Sequence, residues 1–404
     1  MRRQSYATIA AIVLLLTVPA LAEQPTEEAA RQTAASLPVQ MVRTLQVLQD
    51  QISAGSTAAH AAQRTLLAHI DERFSLLDAE AWQDTRNVRA AVIFVLSGGK
   101  PDILKRLLSL GILSKEDETI VQGALAYVEG REAEARQLLS EVDVSALPPG
   151  LGGQLALVQS ALIVREDPAK SVQLLDYVRL QLPGTLVEEA ALRRAIFVVG
   201  QMGDTRKFDA LSRQYLRRFR RSVYSGNFRQ RFAAALTRLE FARDHNQFPR
   251  LVAILDELEP DGQRELYLLV ARAAINEGQT RTAILAADKA YELSASDKVS
   301  VERARLYRAA AAIVKPNGFE HSTAELRRID RTVLPPDDSA LLDAALSMAE
   351  HIRSSPDNQR GGALIAQSAA PSDDLAQIRQ SLPSISRAQE ALERVDQLFR
   401  RATR

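Results

Sequence analysis

The sequence contains no cysteine. Disulfides and thiolate metal sites are therefore excluded, and the fold must be held by packing. The histidines are few and scattered: His60, His69, His245, His321 and His351 include no pair at metal-ligand spacing, so no metal and no cofactor is expected. His69, on a helix with apolar neighbours, reads as a partly buried structural histidine. Phosphate-loop chemistry is also missing. The glycine-rich spots at Gly98-Gly99, Gly150 to Gly153 and Gly361-Gly362 lack both the Lys-Ser/Thr ending and a preceding strand, and they read as helix breakers. No G-x-S-x-G nucleophile elbow occurs. No catalytic residue is assigned, and the expectation is that the chain is not an enzyme.

Charge of one sign is lacking too. Of the 51 Lys and Arg, two (Arg2 and Arg3) lie in the N-terminal leader, leaving 49 against 50 Asp and Glu. Overall charge thus predicts no nucleic-acid binding, and any electrostatic role must be local.

The leader itself is informative. Arg2 and Arg3 precede an apolar run from Ala7 to Val18, and Ala20-Leu21-Ala22 ahead of Glu23 has the small-residue pattern of a cleavage site. This reads as a secretory signal peptide over residues 1–22. Its apolar core is shorter than the roughly 20 residues that span a bilayer. No stable membrane insertion is expected after cleavage.

Paired-helix start signals then recur along the chain, near Trp82, Lys115, Leu151, Thr185, Phe228, Gly262 and Lys298, the step from Thr185 to Phe228 being the longest. Breakers fall at a similar phase within the pairs, at Gly130, Asp167-Pro168, Gly203-Asp204, Phe248-Pro249 and Gly278. Ser114 with Asp117 forms a capping-box pattern. Val88 to Leu96 is nearly all apolar; its extension from Trp82 and its stop at Ser97-Gly98-Gly99 favour a helix over a buried strand. Small residues at Gly123, Ala135, Ala271, Ala274, Ala283 and Ala290 fall where helical hairpins need close approach.

The predicted fold is all-α: a degenerate, tetratricopeptide-like right-handed stack of helical hairpins, an α–α superhelix behind the signal peptide. Its expected divisions are a mobile lead-in at 23–37, a helical-repeat domain at 38–314, a C-terminal helical cap at 315–353, a linker at 354–374 and a terminal helix at 375–404. Such a stack presents an extended surface to partners, which makes binding the first functional inference. Soluble lytic transglycosylases also use an exported helical superhelix, but they need a catalytic Glu-Ser pair and this sequence has no such dipeptide. The acidic doublets Glu188-Glu189 and Asp337-Asp338 read as helix-start carboxylates rather than an acid and base.

The long step holds the densest basic stretch. Residues 206–231 carry nine Lys or Arg against one acid, Asp209. On a helical wheel Phe208, Leu211, Tyr215, Phe219 and Val223 form an apolar face, opposite Arg213, Arg217, Arg220 and Arg221. The arginine face is either a solvated surface or one that faces carboxylates on a neighbouring repeat or on a partner, because arginine binds carboxylates bidentately. The candidate partner-binding set is Arg213, Tyr215, Arg217, Arg218, Arg220, Arg221, Tyr224, Asn227, Phe228 and Arg229.

Met41 to Gln46 with Gln49-Asp50, Asn87 to Gly99, Gly123 to Glu132, Leu182 to Ala191 and Gln214 to Phe232 resemble the MotC family of periplasmic motility proteins. The resemblance implies a non-enzymatic periplasmic protein that binds the periplasmic part of the flagellar stator protein MotB and supports flagellar rotation or its speed control. A general periplasmic tetratricopeptide-like scaffold for envelope or secretion machinery is the alternative that the repeats and leader leave open.

Overall fold

The computed structural model describes residues 27–238, 248–294 and 297–354, and for residues 27–36 and 238 the backbone alone. The expected signal peptide, linker and terminal helix lie outside the described residues, as does His245. The described chain is helical, with no strand among those residues. In order the helices are α1 (Glu27–Ser53), α2 (Thr57–Ser75), α3 (Thr85–Leu96), α4 (Asp102–Leu110), α5 (Lys115–Val128), α6 (Glu132–Leu139), α7 (Pro149–Ile163), α8 (Pro168–Gln181) and α9 (Leu186–Gln201). They continue with α10 (Thr205–Arg218), α11 (Ser225–Arg238), α12 (Phe248–Leu255), α13 (Pro260–Asn276), α14 (Thr280–Glu292), α15 (Lys298–Ala312), α16 (Phe319–Arg328) and α17 (Pro336–Ser354).

The sequence signals act where they were read. Ser114 Oγ accepts from the Asp117 amide at 3.1 Å and caps α5, Asp167 caps α8 through the Lys170 amide at 2.8 Å, and Thr185 caps α9 through the Glu188 amide at 3.1 Å. Gly130, Gly203 and Gly278 close α5, α9 and α13 with positive φ, as helix C-termini favour. Gly150, Gly152 and Gly153, expected as helix breakers, instead lie inside α7, and two boundaries differ. The first helix begins at Glu27 and includes Pro38 rather than opening at it. The helix through Val88 starts at Thr85, because Asp84 leaves helical geometry and caps it, and Trp82 sits in a preceding short 3-10 turn.

Consecutive helices pack as hairpins, α5 on α6, α7 on α8, α9 on α10, α13 on α14 and α15 on α16. Odd-numbered helices also meet one another: α3 touches α5 and α7, α11 touches α9 and α13, and α15 touches α13 and α17. Close approach rests on the small residues. Ala135, Ala271, Ala274, Ala283 and Ala290 are fully buried, and a Cβ on Gly123 would lie 2.5 Å from the Leu139 side chain. Helix α17 is locked on by Asp338, fully buried, which accepts from Arg272 at 2.9 Å, Arg303 at 2.7 Å and the Tyr307 hydroxyl at 2.6 Å. One carboxylate thereby joins α13, α15 and α17.

A second feature was not legible in the repeat pattern. Helix α1 packs on α3 and also reaches α9. Asp50 accepts from the Leu186 amide at 3.0 Å, and Gln49 donates to the Ser97 carbonyl at 3.2 Å. The turn after α1 then meets the segment after α10: the Val223 amide donates to the Ile52 carbonyl at 3.3 Å. Gly55, at φ 108°, lies so close that a Cβ there would stand 2.5 Å from the Arg221 carbonyl oxygen. No other residue type fits both demands. Gly55→Ala is expected to lower the unfolding free energy by about 1–3 kcal/mol through backbone strain and the clash, and Ala283→Leu by about 1–3 kcal/mol through overpacking. Urea denaturation followed by helical circular dichroism measures both.

Candidate partner-docking surface

The basic stretch does not form one helix. Helix α10 ends at Arg218, Phe219 turns out of helical geometry, and α11 begins at Ser225. The wheel reading is right for Phe208, Leu211, Tyr215 and Phe219, which are all buried. It fails at Val223, which is half-buried in the connection and held by α1 through its backbone. Helix α11 opens at Ser225, a few residues ahead of the start expected near Phe228.

Two carboxylates fix this geometry. Glu188 and Glu189 lie in the first turn of α9, as read, but both are fully buried. Glu188 accepts from Arg218 at 2.9 Å and from Gln214 at 3.2 Å. Glu189 accepts from the Tyr215 hydroxyl at 3.0 Å and from Ser222 Oγ at 2.8 Å, with Arg193 at 3.9 Å. The pair therefore grips α10 from one side and the connection from the other. Burial raises the pKa of Glu189 above the ordinary carboxylate range, against the opposing effects of Arg193 and the two hydroxyls. Tyr215 is likewise raised, by burial first and by the Glu189 charge next.

The arginines find carboxylates one unit further along. Arg213 and Arg217 pair with Glu257 at 3.5 and 3.9 Å. Arg220 pairs with Glu259 at 3.1 Å, and Arg229 with Glu265. Among the arginines of the expected set, Arg221 alone has no carboxylate partner within the described residues, and it is exposed. Of the alternatives the sequence left open, carboxylates on a neighbouring repeat account for most of the arginine face. The cluster Glu257, Glu259, Asp261 and Glu265 around Pro260 is the signal that sequence reasoning passed over.

The aromatic members of the set divide. Tyr215 and Phe228 are interior, their ring centroids 3.8 Å apart, so neither can anchor a partner at the surface in this conformation. They drop out because Glu189 and the α9 core claim them. Tyr224 is half-buried, edge-on to His60 at 5.8 Å and beneath Arg193 at 5.2 Å, while Asn227 is exposed. His69 proves exposed rather than partly buried, because α2 buries only the stripe of Ala59, Ile70 and Phe74. Among the described residues no group of three or more His, Asp or Glu could hold a metal ion, and no helix there is long and apolar enough to cross a membrane.

The family comparison bears on all of this at once: residues 1–404 match the family described as chemotaxis protein MotC. The chain belongs to the MotC family. A relative in Rhizobium meliloti (strain 1021), also described as chemotaxis protein MotC, is 32% identical over 317 residues, which cover 78% of this chain and 72% of the relative. No solved structure matches. The MotC assignment makes this a chemotaxis and motility protein.

The buried Glu189 gives a pH signature. Its folded pKa lies above its unfolded one, so the folded state holds the extra proton; this contribution favours folding at low pH and is lost as pH rises through the folded value. Stability of the native chain relative to Glu189→Gln should therefore improve as the pH is lowered from 7 towards 4.5, as measured by paired thermal melts. A constant difference across that range would contradict the assignment.

Proposed function

We propose that this MotC-family protein works in the periplasm as a non-enzymatic, cofactor-free motility protein that binds the periplasmic part of the flagellar stator protein MotB and supports flagellar rotation or its speed control. The observation that carries the reading is membership of a chemotaxis family in a chain that opens with an export signature ending at Ala20, Ala22 and Glu23. The fold supports it: a stack of hairpins offers a long surface and, in its described part, spends its buried carboxylates on holding helices together. Binding that is tighter to the engaged form of the stator than to the disengaged one would shift the stator towards engagement, with no chemical step required.

The test uses the mature chain, residues 23–404, immobilised against the purified periplasmic domain of MotB, together with swimming assays in a deletion strain. Expected are saturable binding that weakens with salt, and restored swimming by the native gene but not by one lacking residues 1–22. Absence of binding, or full function without the leader, would return the chain to a general scaffold role.

A further inference from the structure

Beside the α1–α2 turn, where the connection after α10 meets α13 and α15, lies a cleft of about 370 Å3 whose wall includes Arg220, Arg221, Arg229, Arg264 and Arg303. We propose that this cleft seats a short acidic segment of a partner protein, with Arg221 as its first contact. The proposal rests on the reading of the chain as a docking protein and gives that reading a place and a chemistry.

Three observations carry it. The first is charge: five arginines and three carboxylates, Glu259, Asp261 and Glu265, line the wall, and with Arg303 matched by the buried Asp338 behind it one positive charge is left over in the concavity. The second is how those charges are used. Arg303 is committed to the buried Asp338 at 2.7 Å, and Arg264 lies 2.8 Å from Asp261. Arg220 shares Glu259 at 3.1 Å with both side chains substantially exposed, 39% and 63%. Exposed pairs of this kind contribute only about 0–1 kcal/mol, so Arg220 can exchange its partner for an incoming carboxylate at small cost. Arg221 has none to give up among the described residues.

The third is preorganisation. Arg221 is an exposed side chain on a fixed base, its carbonyl packed over Gly55 and the next-but-one amide bonded to Ile52. A guanidinium held at its root loses less freedom on binding a carboxylate through its planar fork. The volume falls in the range of small-ligand pockets, which suits a few residues of extended chain rather than a folded domain. The carboxylates set among the arginines disfavour a uniform polyanion and favour acids interspersed with polar residues.

The experiment is fluorescence anisotropy on the mature chain with a short labelled peptide of alternating glutamate and serine, its glutamine counterpart, and phosphatidylglycerol vesicles as a third probe. The glutamate peptide should bind in a salt-dependent manner and the glutamine peptide should not. Arg221→Glu should weaken binding roughly tenfold or more, the scale of one charge-assisted contact. Arg221→Gln should weaken it less, and Arg328→Glu, on α16 and outside the cleft wall, should leave it unchanged although it alters net charge equally. Circular dichroism confirms that each variant keeps its helix content. Equal binding of the two peptides, no effect at Arg221, or binding to vesicles alone overturns the cleft. The MotB periplasmic domain is titrated in parallel: failure of that domain to bind while the glutamate peptide binds would sink the functional reading and leave the cleft standing. A domain that binds Arg221→Glu as tightly as the native chain would remove the cleft as the docking place and leave the function standing.

Discussion

The middle of this molecule depends on two carboxylates that water does not reach. Glu188 and Glu189 begin α9 with no solvent exposure, and unpaired charges so placed would cost several kcal/mol each. The chain meets that cost chiefly with groups from the helix and connection that follow, and adds Arg193 of α9 itself and the Gly184 amide just before it. Removing either side strands the other. The geometry of the basic segment is thus not a property of the arginines but of the acids beneath them, and Asp338 repeats the device at the C-terminal end by joining three helices around one side chain.

The same logic explains how a chain with no cysteine and few aromatic residues keeps its hairpins in contact. Alanine and glycine at the crossings bring backbones close, so that dispersion and apolar burial act over most of the interface, while carboxylate and arginine seams define which helix faces which. Apolar packing of alanines is tolerant of sliding; a buried carboxylate with directed hydrogen bonds is not. Packing supplies the cohesion and the polar contacts supply the register.

Hairpin boundaries were legible in the sequence because each is set locally, by a cap such as Thr185 or a breaker such as Gly203 that acts within a turn of itself. The site was legible only in part. The helical wheel ran on through Phe219 because no glycine or proline stands between Thr205 and Ser225 to stop it; the break is imposed from outside, by the turn that follows α1. Nor does the wheel show that Tyr215 and Phe228 are covered by Glu189 and the α9 core, since an amphipathic pattern says that a face is covered without saying by what. Ion pairs such as Arg213 with Glu257 link adjacent units, and a wheel drawn for one helix cannot display them.

The reach of α1 to α9 sets this stack apart from arrays in which each unit touches only its neighbours. Asp50 and Leu186 are 136 residues apart in sequence, yet joined by a hydrogen bond. A purely linear array can nucleate anywhere and add units one at a time, with stabilities that sum along the chain. Here α1 cannot complete its contacts until α9 has formed, so a large loop must close before its energy is recovered. The α1–α9 contact couples the two ends of this span, so truncations that cut between α2 and α11 are expected to loosen both ends rather than shorten the stack by one repeat.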